Sequence, residues 1–138
     1  MTAPKDVIQQ VIDHIEGNLD KELDLEAIAQ AAGYSKFHLN RLFARETGLT
    51  IYKYLQARRL TVAAEKLVKT TLPIVQIAYD AGYNSQQAFT LAFKQLYVYS
   101  PKVYRERGVF LPKQQKISLC QRICSLSTWA GSSERRAA

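Results

Sequence analysis

The sequence predicts an all-α protein with two helix-turn-helix subdomains joined by a long linker helix, about seven helices in all, followed by a C-terminal tail. Apolar residues recur at helical spacing through most of the chain, and no stretch alternates for long like a β-strand. One helical unit also occurs twice, as IAQAAGYSKFHLNRLF at 28–43 and as IAYDAGYNSQQAFTLAF at 77–93. Two copies are too few for a solenoid, so we expect two similar subdomains instead.

The first subdomain is expected to begin with a helix over residues 5–18 and to contain a helix-turn-helix at about 25–46. Asp24 can cap the first helix of the motif, and Gly33 suits the left-handed conformation that often follows a helix end. Ser35 can then cap the second helix. Two helices separated by a short turn with glycine are typical of a helix-turn-helix.

The linker and the second subdomain are predicted from the same signals. Thr50 can cap a helix that runs to about Lys69, which would be roughly 27 Å long at about 1.5 Å per residue. The second motif is predicted at about 73–96, where Ser85 can cap its second helix. Ser100 and the proline after it predict the start of a short last helix.

The charge is divided unevenly along the chain. Residues 1–32 contain two Lys or Arg against seven Asp or Glu, a net −5, whereas residues 33–138 contain seventeen against five, a net +12. This division predicts one face for a polyanion and another turned away from it. The linker is also close in length to the roughly 34 Å between successive major grooves on one side of B-DNA. Two alternatives remain: the basic residues only keep the protein soluble, or the helical hairpins bind proteins.

Composition argues against several other classes. No apolar run approaches the roughly 20 residues of a membrane span, and the N-terminus lacks a signal-peptide pattern, which predicts a cytoplasmic protein. Two cysteines do not make a disulfide framework. No nucleophile with a base, no phosphate-binding glycine loop and no His or Cys pair at metal spacing is evident. We therefore expect no enzyme, no cofactor and no metal site.

The chain resembles the AraC/XylS family of bacterial transcription regulators, and most closely its short, stand-alone members. The resemblance covers about residues 5–107 and is carried by AGYSKFHLNRLFARETG, ARRLTVAAEKL, IAYDAGYNSQQAF and SPKVYR, in that order. It implies an activator that binds double-stranded DNA as a monomer, at an asymmetric promoter site, in two adjacent major grooves. It further implies recruitment of RNA polymerase, a place on the bacterial nucleoid and a stress or multidrug-resistance regulon.

The resemblance places base contacts on the outward side of the second helix of each motif, at Phe37, Asn40, Arg41, Gln86, Gln87, Thr90 and Leu91. Arg41 is the expected guanine reader, because a guanidinium can bond O6 and N7 together. Asn40 could pair with adenine in the same bidentate manner. Phe37 stands where close relatives have tryptophan, and packing in the core is its alternative role.

Leu91 departs from the family pattern, since close relatives have arginine at this position. A leucine can offer thymine methyl groups van der Waals contact but no hydrogen bond, so the second motif is expected to discriminate bases weakly. Two other interpretations remain open: Leu91 packs against a partner protein, or it is a tolerated apolar residue on the surface.

Phosphate contacts are expected from two helix N-termini and from basic side chains, at Ser35, Lys36, Arg45, Lys53, Arg58, Ser85, Lys94 and Arg105. Helix N-termini suit phosphates because their backbone N–H groups point outward. Such contacts fix the position of a protein on DNA without reading its sequence.

Residues 108–138 form the predicted tail, beyond the resemblance. Residues 113–126 are expected to form a short amphipathic helix with Ile117, Cys120, Ile123 and Cys124 inward, before a disordered end. The tail is too short for an effector domain, so we expect activity to be set by the amount of protein and not by a ligand. The two thiols are interpreted as idle or buried, with a redox switch as the alternative.

Overall fold

The computed structural model describes residues 3–119, which include seven α-helices and no β-strand. These are α1 (Pro4–Gly17), α2 (Leu25–Ala32), α3 (Lys36–Thr47), α4 (Ile51–Lys69), α5 (Ile74–Asp80), α6 (Gln86–Tyr97) and α7 (Pro101–Arg107). The all-α prediction, with two helix-turn-helix motifs around a long linker helix, is confirmed. The two motifs are α2–α3 and α5–α6, and the linker is α4.

Side-chain caps define where the central helices begin. The Asp24 carboxylate accepts a hydrogen bond from the backbone N–H of Ala27 at 3.1 Å. Ser35, Thr50 and Ser85 accept equivalent bonds at the starts of α3, α4 and α6, each also at 3.1 Å. Each cap occupies one backbone N–H that the helix cannot pair internally. The boundaries predicted from these residues are therefore correct to within about one residue.

The turn of the second motif requires glycine for two reasons. Gly82 has φ +89°, a left-handed conformation that other residues adopt at a cost. A Cβ at this position would also lie 2.8 Å from a guanidinium nitrogen of Arg59 on the linker helix. Arg59 in turn donates hydrogen bonds to the carbonyls of Leu19 and Lys21 in the first subdomain. The turn is thus packed tightly against a side chain that contacts both halves of the molecule.

The buried apolar residues within 3–119 form two separate cores, and α4 contributes to both. The first core includes Ile8, Ile12, Leu39 and Phe43 together with Tyr54 from the N-terminal half of α4. The second core uses the C-terminal half of α4, from Leu60 to Leu67, and the inward faces of α5, α6 and α7. Its centre is an aromatic cluster of Phe89, Phe93, Tyr97 and Tyr104 with ring centroids 4.8–5.6 Å apart.

Residues 109–119 return along the linker helix toward α1, and we call them the C-terminal strap. Leu119 is helical, but residues 113–118, the first part of the helix predicted over 113–126, are not. Their backbone N–H groups bond to side chains of other elements instead. Ile117 does pack inward, against the first core. The rest of that predicted helix, with Cys120, Ile123 and Cys124, lies outside the described residues, as does the predicted disordered end.

Candidate nucleic-acid interface

Helix α3 divides into a buried face and an exposed face, as its sequence pattern predicts. Leu39, Leu42 and Phe43 are buried in the first core. The opposite face exposes Lys36, Phe37, His38, Arg41 and Arg45. This face contains two arginines, a lysine and an aromatic ring but no acidic residue, a composition that suits a polyanion.

Phe37 is exposed over 74% of its surface, which excludes the alternative that it packs in the core. The Lys36 ammonium lies 5.7 Å from the centre of its ring, within the range of a cation–π contact. His38 packs edge-on against Tyr34, with ring centroids 4.8 Å apart. The ring of Phe37 therefore projects from the first turn of α3, where a groove-binding helix makes its contacts.

Helix α6 repeats this arrangement with less charge. Phe89, Phe93 and Tyr97 are buried, while Gln86, Gln87, Leu91 and Lys94 are exposed. Thr90 is half-buried. All five of the exposed or half-buried side chains surround one open depression, which Ser85 also lines. The predicted base-contacting residues of the second motif are thus brought together on one surface.

Leu91 is exposed over 65% of its surface and lies beside two further apolar side chains. Val75 and Tyr79 project from α5 into the same depression and are 38% and 55% exposed. These two residues were not predicted from the sequence. The signal that could have found them is their spacing: they are four residues apart and so share a face, and each is two residues from the buried Ile77, on the opposite side of the helix. The surface around Leu91 is therefore an apolar patch and not a single leucine.

The side chain of Asn40, which was predicted to contact a base, forms a hydrogen bond within the protein. The Asn40 side chain is half-buried, and its Oδ1 accepts a hydrogen bond from the backbone N–H of Ile51 at 3.1 Å. Bidentate pairing with adenine would need this same oxygen. Asn40 instead supports the N-terminus of α4 and so joins the reading helix to the linker.

Arg58, which was predicted to contact a phosphate, is bonded to other parts of the protein. Its guanidinium donates to both carboxylate oxygens of Glu16, at 2.9 and 2.5 Å, and to the carbonyl of Gln114 at 2.6 Å. The side chain is only 12% exposed. Burial acts to lower the pKa of Arg58, but the hydrogen bonds and charge of Glu16 raise it overall. This arginine is an internal tie between α1, α4 and the C-terminal strap.

Arg105 likewise serves the fold. Its Nε donates to the carbonyl of Leu67 at 2.8 Å, and a terminal nitrogen donates to the carbonyl of Leu72 at 2.7 Å. These carbonyls belong to the end of α4 and the segment after it, so the guanidinium closes the C-terminus of the linker helix. Arg105, which was predicted to contact a phosphate, therefore has a structural role in this fold.

The remaining phosphate candidates are on the surface. Lys36, Arg45, Lys53 and Lys94 are exposed, and the Arg45 side chain keeps 69% of its surface although its Nε lies 3.9 Å from Glu46. Ser35 and Ser85 cap the N-termini of α3 and α6, as described above. These six positions remain a prediction, with the two helix N-termini and four flexible cations available to an anion.

Two carboxylates of the acidic N-terminal segment form ion pairs with basic residues of other parts of the protein. Glu16 pairs with Arg58, and Asp13 lies 2.9 Å from the ammonium of Lys116 in the strap. The hydrogen bonds that Lys116 and Gln9 donate lower the pKa of Asp13. Part of the negative charge expected to face away from DNA is thus neutralised by the chain itself.

Other kinds of site receive no support from residues 3–119. No three His, Cys, Asp or Glu side chains within this range are arranged to hold a metal ion. In the same range, no helix is both long enough and apolar enough to span a membrane. The features that stand out are the exposed faces of α3 and α6.

Comparison with known proteins identifies the family. A protein-family model described as a helix-turn-helix domain matches residues 28–107, more than half of the chain. The multiple antibiotic resistance protein MarA of Escherichia coli is 40% identical over 98 residues, which cover 71% of this chain and 77% of MarA. The right origin-binding protein of Escherichia coli is 43% identical over 99 residues, which cover 72% of this chain and 34% of that protein.

A solved structure agrees with these relatives. The AraC-type transcriptional regulator of Chromobacterium violaceum superposes with a TM-score of 0.71 at 27% identity, covering 76% of this chain and 94% of that one. The family consists of DNA-binding transcription regulators and not of enzymes. The chain therefore belongs to the AraC/XylS family and is a DNA-binding transcription regulator similar to MarA.

Proposed function

We propose that the protein is a transcription activator that binds an asymmetric promoter site as a monomer, with α3 and α6 in two adjacent major grooves. The main observation in support is that one chain contains two helices, α3 and α6, each with an exposed face and a serine cap. The cores that hold them are joined through the 19-residue helix α4. At about 1.5 Å per residue α4 is roughly 27 Å long, which suits neighbouring grooves. A single chain then provides two recognition helices for successive major grooves, whereas many other helix-turn-helix proteins provide them as a dimer.

The two reading helices are proposed to contribute unequally. Phe37 and Arg41 in α3 offer an aromatic edge and a guanidinium, the most specific groups in either helix. In α6, Gln86, Gln87 and Thr90 offer weaker or more adaptable hydrogen bonds, and Leu91 offers apolar contact alone. We therefore expect most sequence discrimination at the half-site under α3, and a preference for thymine methyl groups under α6.

The cellular role is proposed from the relatives. A protein similar to MarA, whose name records multiple antibiotic resistance, is proposed to act in a stress or multidrug-resistance regulon. It would act at the nucleoid, in the cytoplasm, and would recruit RNA polymerase to the promoters it occupies. The competing role, an adapter that binds only proteins, predicts no affinity for duplex DNA.

Binding to duplex DNA tests the proposal directly. We expect a specific site selected from a random duplex pool to be bound with a one-to-one stoichiometry by native mass spectrometry. If about six phosphates are contacted, affinity should fall roughly a thousandfold or more between 50 and 200 mM salt. Affinity that stays flat over this range would exclude the electrostatic interface, whereas no affinity for duplex DNA would favour the adapter.

Substitution of Arg41 tests the assignment of the reading face. Arg41→Ala should cost about 1–3 kcal/mol of binding free energy and relax the preference at one base pair. Arg107→Ala is the matched control, since Arg107 is exposed at the end of α7, outside both reading helices. If the two variants changed base preference equally, Arg41 would not be the residue that contacts the base.

Activation needs a separate measurement. Transcription in vitro from a promoter with the selected site should increase when the protein and RNA polymerase are combined. A complex of protein, polymerase and promoter should also be more stable than either binary complex. If the protein bound the promoter but did not increase transcription, it would be a DNA-binding regulator and not an activator.

A further inference from the structure

The C-terminal strap connects the two halves of the molecule by a route separate from the linker helix. Phe110 packs against the second core, whereas Ile117 and Leu119 pack against the first. Between these anchors the strap passes alongside α4. The two subdomains are therefore joined covalently by α4, and the strap, which continues from α7, adds a second connection that is held on the first core by non-covalent contacts.

Several backbone N–H groups of the strap donate hydrogen bonds to side chains of both subdomains. The N–H of Lys113 donates to the Tyr97 hydroxyl at 3.2 Å, and that of Gln114 donates to Thr61 at 3.1 Å. Further along, the N–H of Ile117 donates to the Tyr54 hydroxyl at 3.2 Å. At the far end, the N–H of Leu119 donates to Gln9 on α1 at 2.8 Å.

Charged side chains reinforce this connection in the middle. The Arg58 guanidinium holds the strap carbonyl of Gln114 and the carboxylate of Glu16 on α1 at the same time. The Lys116 ammonium reaches Asp13, also on α1. One face of α1, the central turns of α4 and the strap thus form a continuous polar network around two buried hydroxyl-bearing residues, Tyr54 and Thr61.

The mechanical consequence follows from the two cores. A single helix that joins two separately packed units can bend, and a small bend at its middle changes the angle between the units. Direct polar contacts between them are few among the described residues, the clearest being Arg59 with Leu19 and Lys21 and the 3.4 Å contact of Gln56 with Tyr83. The C-terminal strap, which is anchored in both cores, opposes this bending of α4.

We propose that the C-terminal strap is a positioning element, which fixes the orientation of α3 relative to α6 and thereby the spacing of half-sites that the protein accepts. The second part of this inference rests on the proposed DNA-binding mode. The first part concerns the free protein and can be tested without DNA. Tyr54 and Thr61 are the positioning residues, because their oxygens accept the two central strap N–H groups.

The test uses the full-length chain with Tyr54→Phe and Thr61→Val combined, which removes both acceptors and keeps the side-chain shapes. Tyr52→Phe is the matched control, since Tyr52 precedes Tyr54 on α4 by two residues and is 66% exposed. A retained cooperative thermal transition shows that the variant folds. If the double variant does not fold, the single Thr61→Val variant takes its place.

The first readout is the distance between the subdomains in the absence of DNA, measured by pulsed electron paramagnetic resonance. Spin labels at the exposed Gln30 and Lys102 report on the first and second subdomains, with Cys120 and Cys124 changed to serine. The parent and Tyr52→Phe should give one narrow distribution, and the double variant a broader one. An unchanged distribution in the double variant would overturn the proposal.

The second readout is tolerance to half-site spacing. One base pair inserted between the half-sites of the selected site rotates one half-site by about a tenth of a turn. We expect this insertion to weaken binding of the parent at least about tenfold, as much as a mismatched base pair, and the double variant much less. An equal loss in both proteins would refute control of spacing, whereas absence of any specific binding would refute only the proposed function.

Discussion

Replacement of Arg58 by alanine separates a structural arginine from a DNA-contacting one. The guanidinium makes three hydrogen bonds to two partners, Glu16 and Gln114, and its side chain is 12% exposed while that of Glu16 is 26% exposed. Breaking a fully buried ion pair costs about 3–5 kcal/mol, and an exposed pair contributes about 0–1 kcal/mol. For this partly exposed pair we expect Arg58→Ala to lower the free energy of unfolding by about 2–4 kcal/mol.

The assay compares thermal unfolding with the salt dependence of DNA binding. A loss of this size should lower the melting temperature by roughly 10 °C in a chain of this length. The slope of log affinity against log salt should stay the same, since no phosphate contact is removed. Arg45→Ala is the matched control: Arg45 is exposed, so the melting temperature should barely change while the slope becomes shallower by about 0.9.

Either of two results would refute this reasoning. One is an Arg58→Ala variant that melts like the parent, which would mean that the ion pair and the bond to Gln114 contribute little. The other is a shallower salt slope in Arg58→Ala, which would mean that this guanidinium contacts a phosphate after all. The Glu16→Gln variant and the corresponding double variant isolate the pair: non-additive losses of stability are expected if the two side chains act together.

Three further predictions concern other parts of the molecule. Leu91→Arg should raise affinity at the α6 half-site and add a guanine preference worth about 1–3 kcal/mol, measured by site selection; unchanged selection would mean that Leu91 does not face bases. Gly82→Ala should lower the free energy of unfolding, measured in urea, by about 1–3 kcal/mol, because φ at this position is left-handed and a Cβ would meet Arg59. In an Arg59→Ala background the same substitution should cost less, because the contact with Arg59 is absent. Burial raises the pKa of Tyr83 and of Tyr97, so the folded state keeps protons that the unfolded state loses above about pH 10. The contribution of these tyrosines to the free energy of unfolding should therefore be constant below that pH and fall as the pH rises further. Urea unfolding from pH 8 to 11 should show a less steep fall in Tyr83→Phe than in the parent. A parallel fall in both proteins would contradict the raised pKa of Tyr83.

The exposed reading faces could be predicted because they depend on local periodicity. On α3 and α6 the side chains three and four positions apart share a face, so burial of Phe43 and Phe93 determines which residues are outside. Phe37, Arg41 and Leu91 were assigned correctly to the surface on this basis. Which bases or phosphates they contact stays a prediction.

The internal roles that the sequence did not predict share one cause, which is contact between residues distant in the sequence. Asn40 bonds to a backbone group 11 residues away, and Arg58 pairs with Glu16, 42 residues away. An exposed and an internally paired arginine look alike in a helical pattern, because both lie on the polar side. The C-terminal strap is a stronger case: its hydrogen bonds join residues as many as 110 positions apart, whereas the helix predicted over 113–126 rests on the local spacing of Ile117, Cys120, Ile123 and Cys124.

By itself, the sequence determined the class of the fold, the seven helices, their caps and the family. Those features follow from neighbours within about one helical turn, where Ser, Thr, Asp and Gly have strong local preferences. Only the tertiary structure decided which cations remain for DNA and how the two motifs are held in relation to each other. The physical reason is that both depend on desolvated contacts between elements far apart in the chain, and those contacts exist only once the two cores have packed.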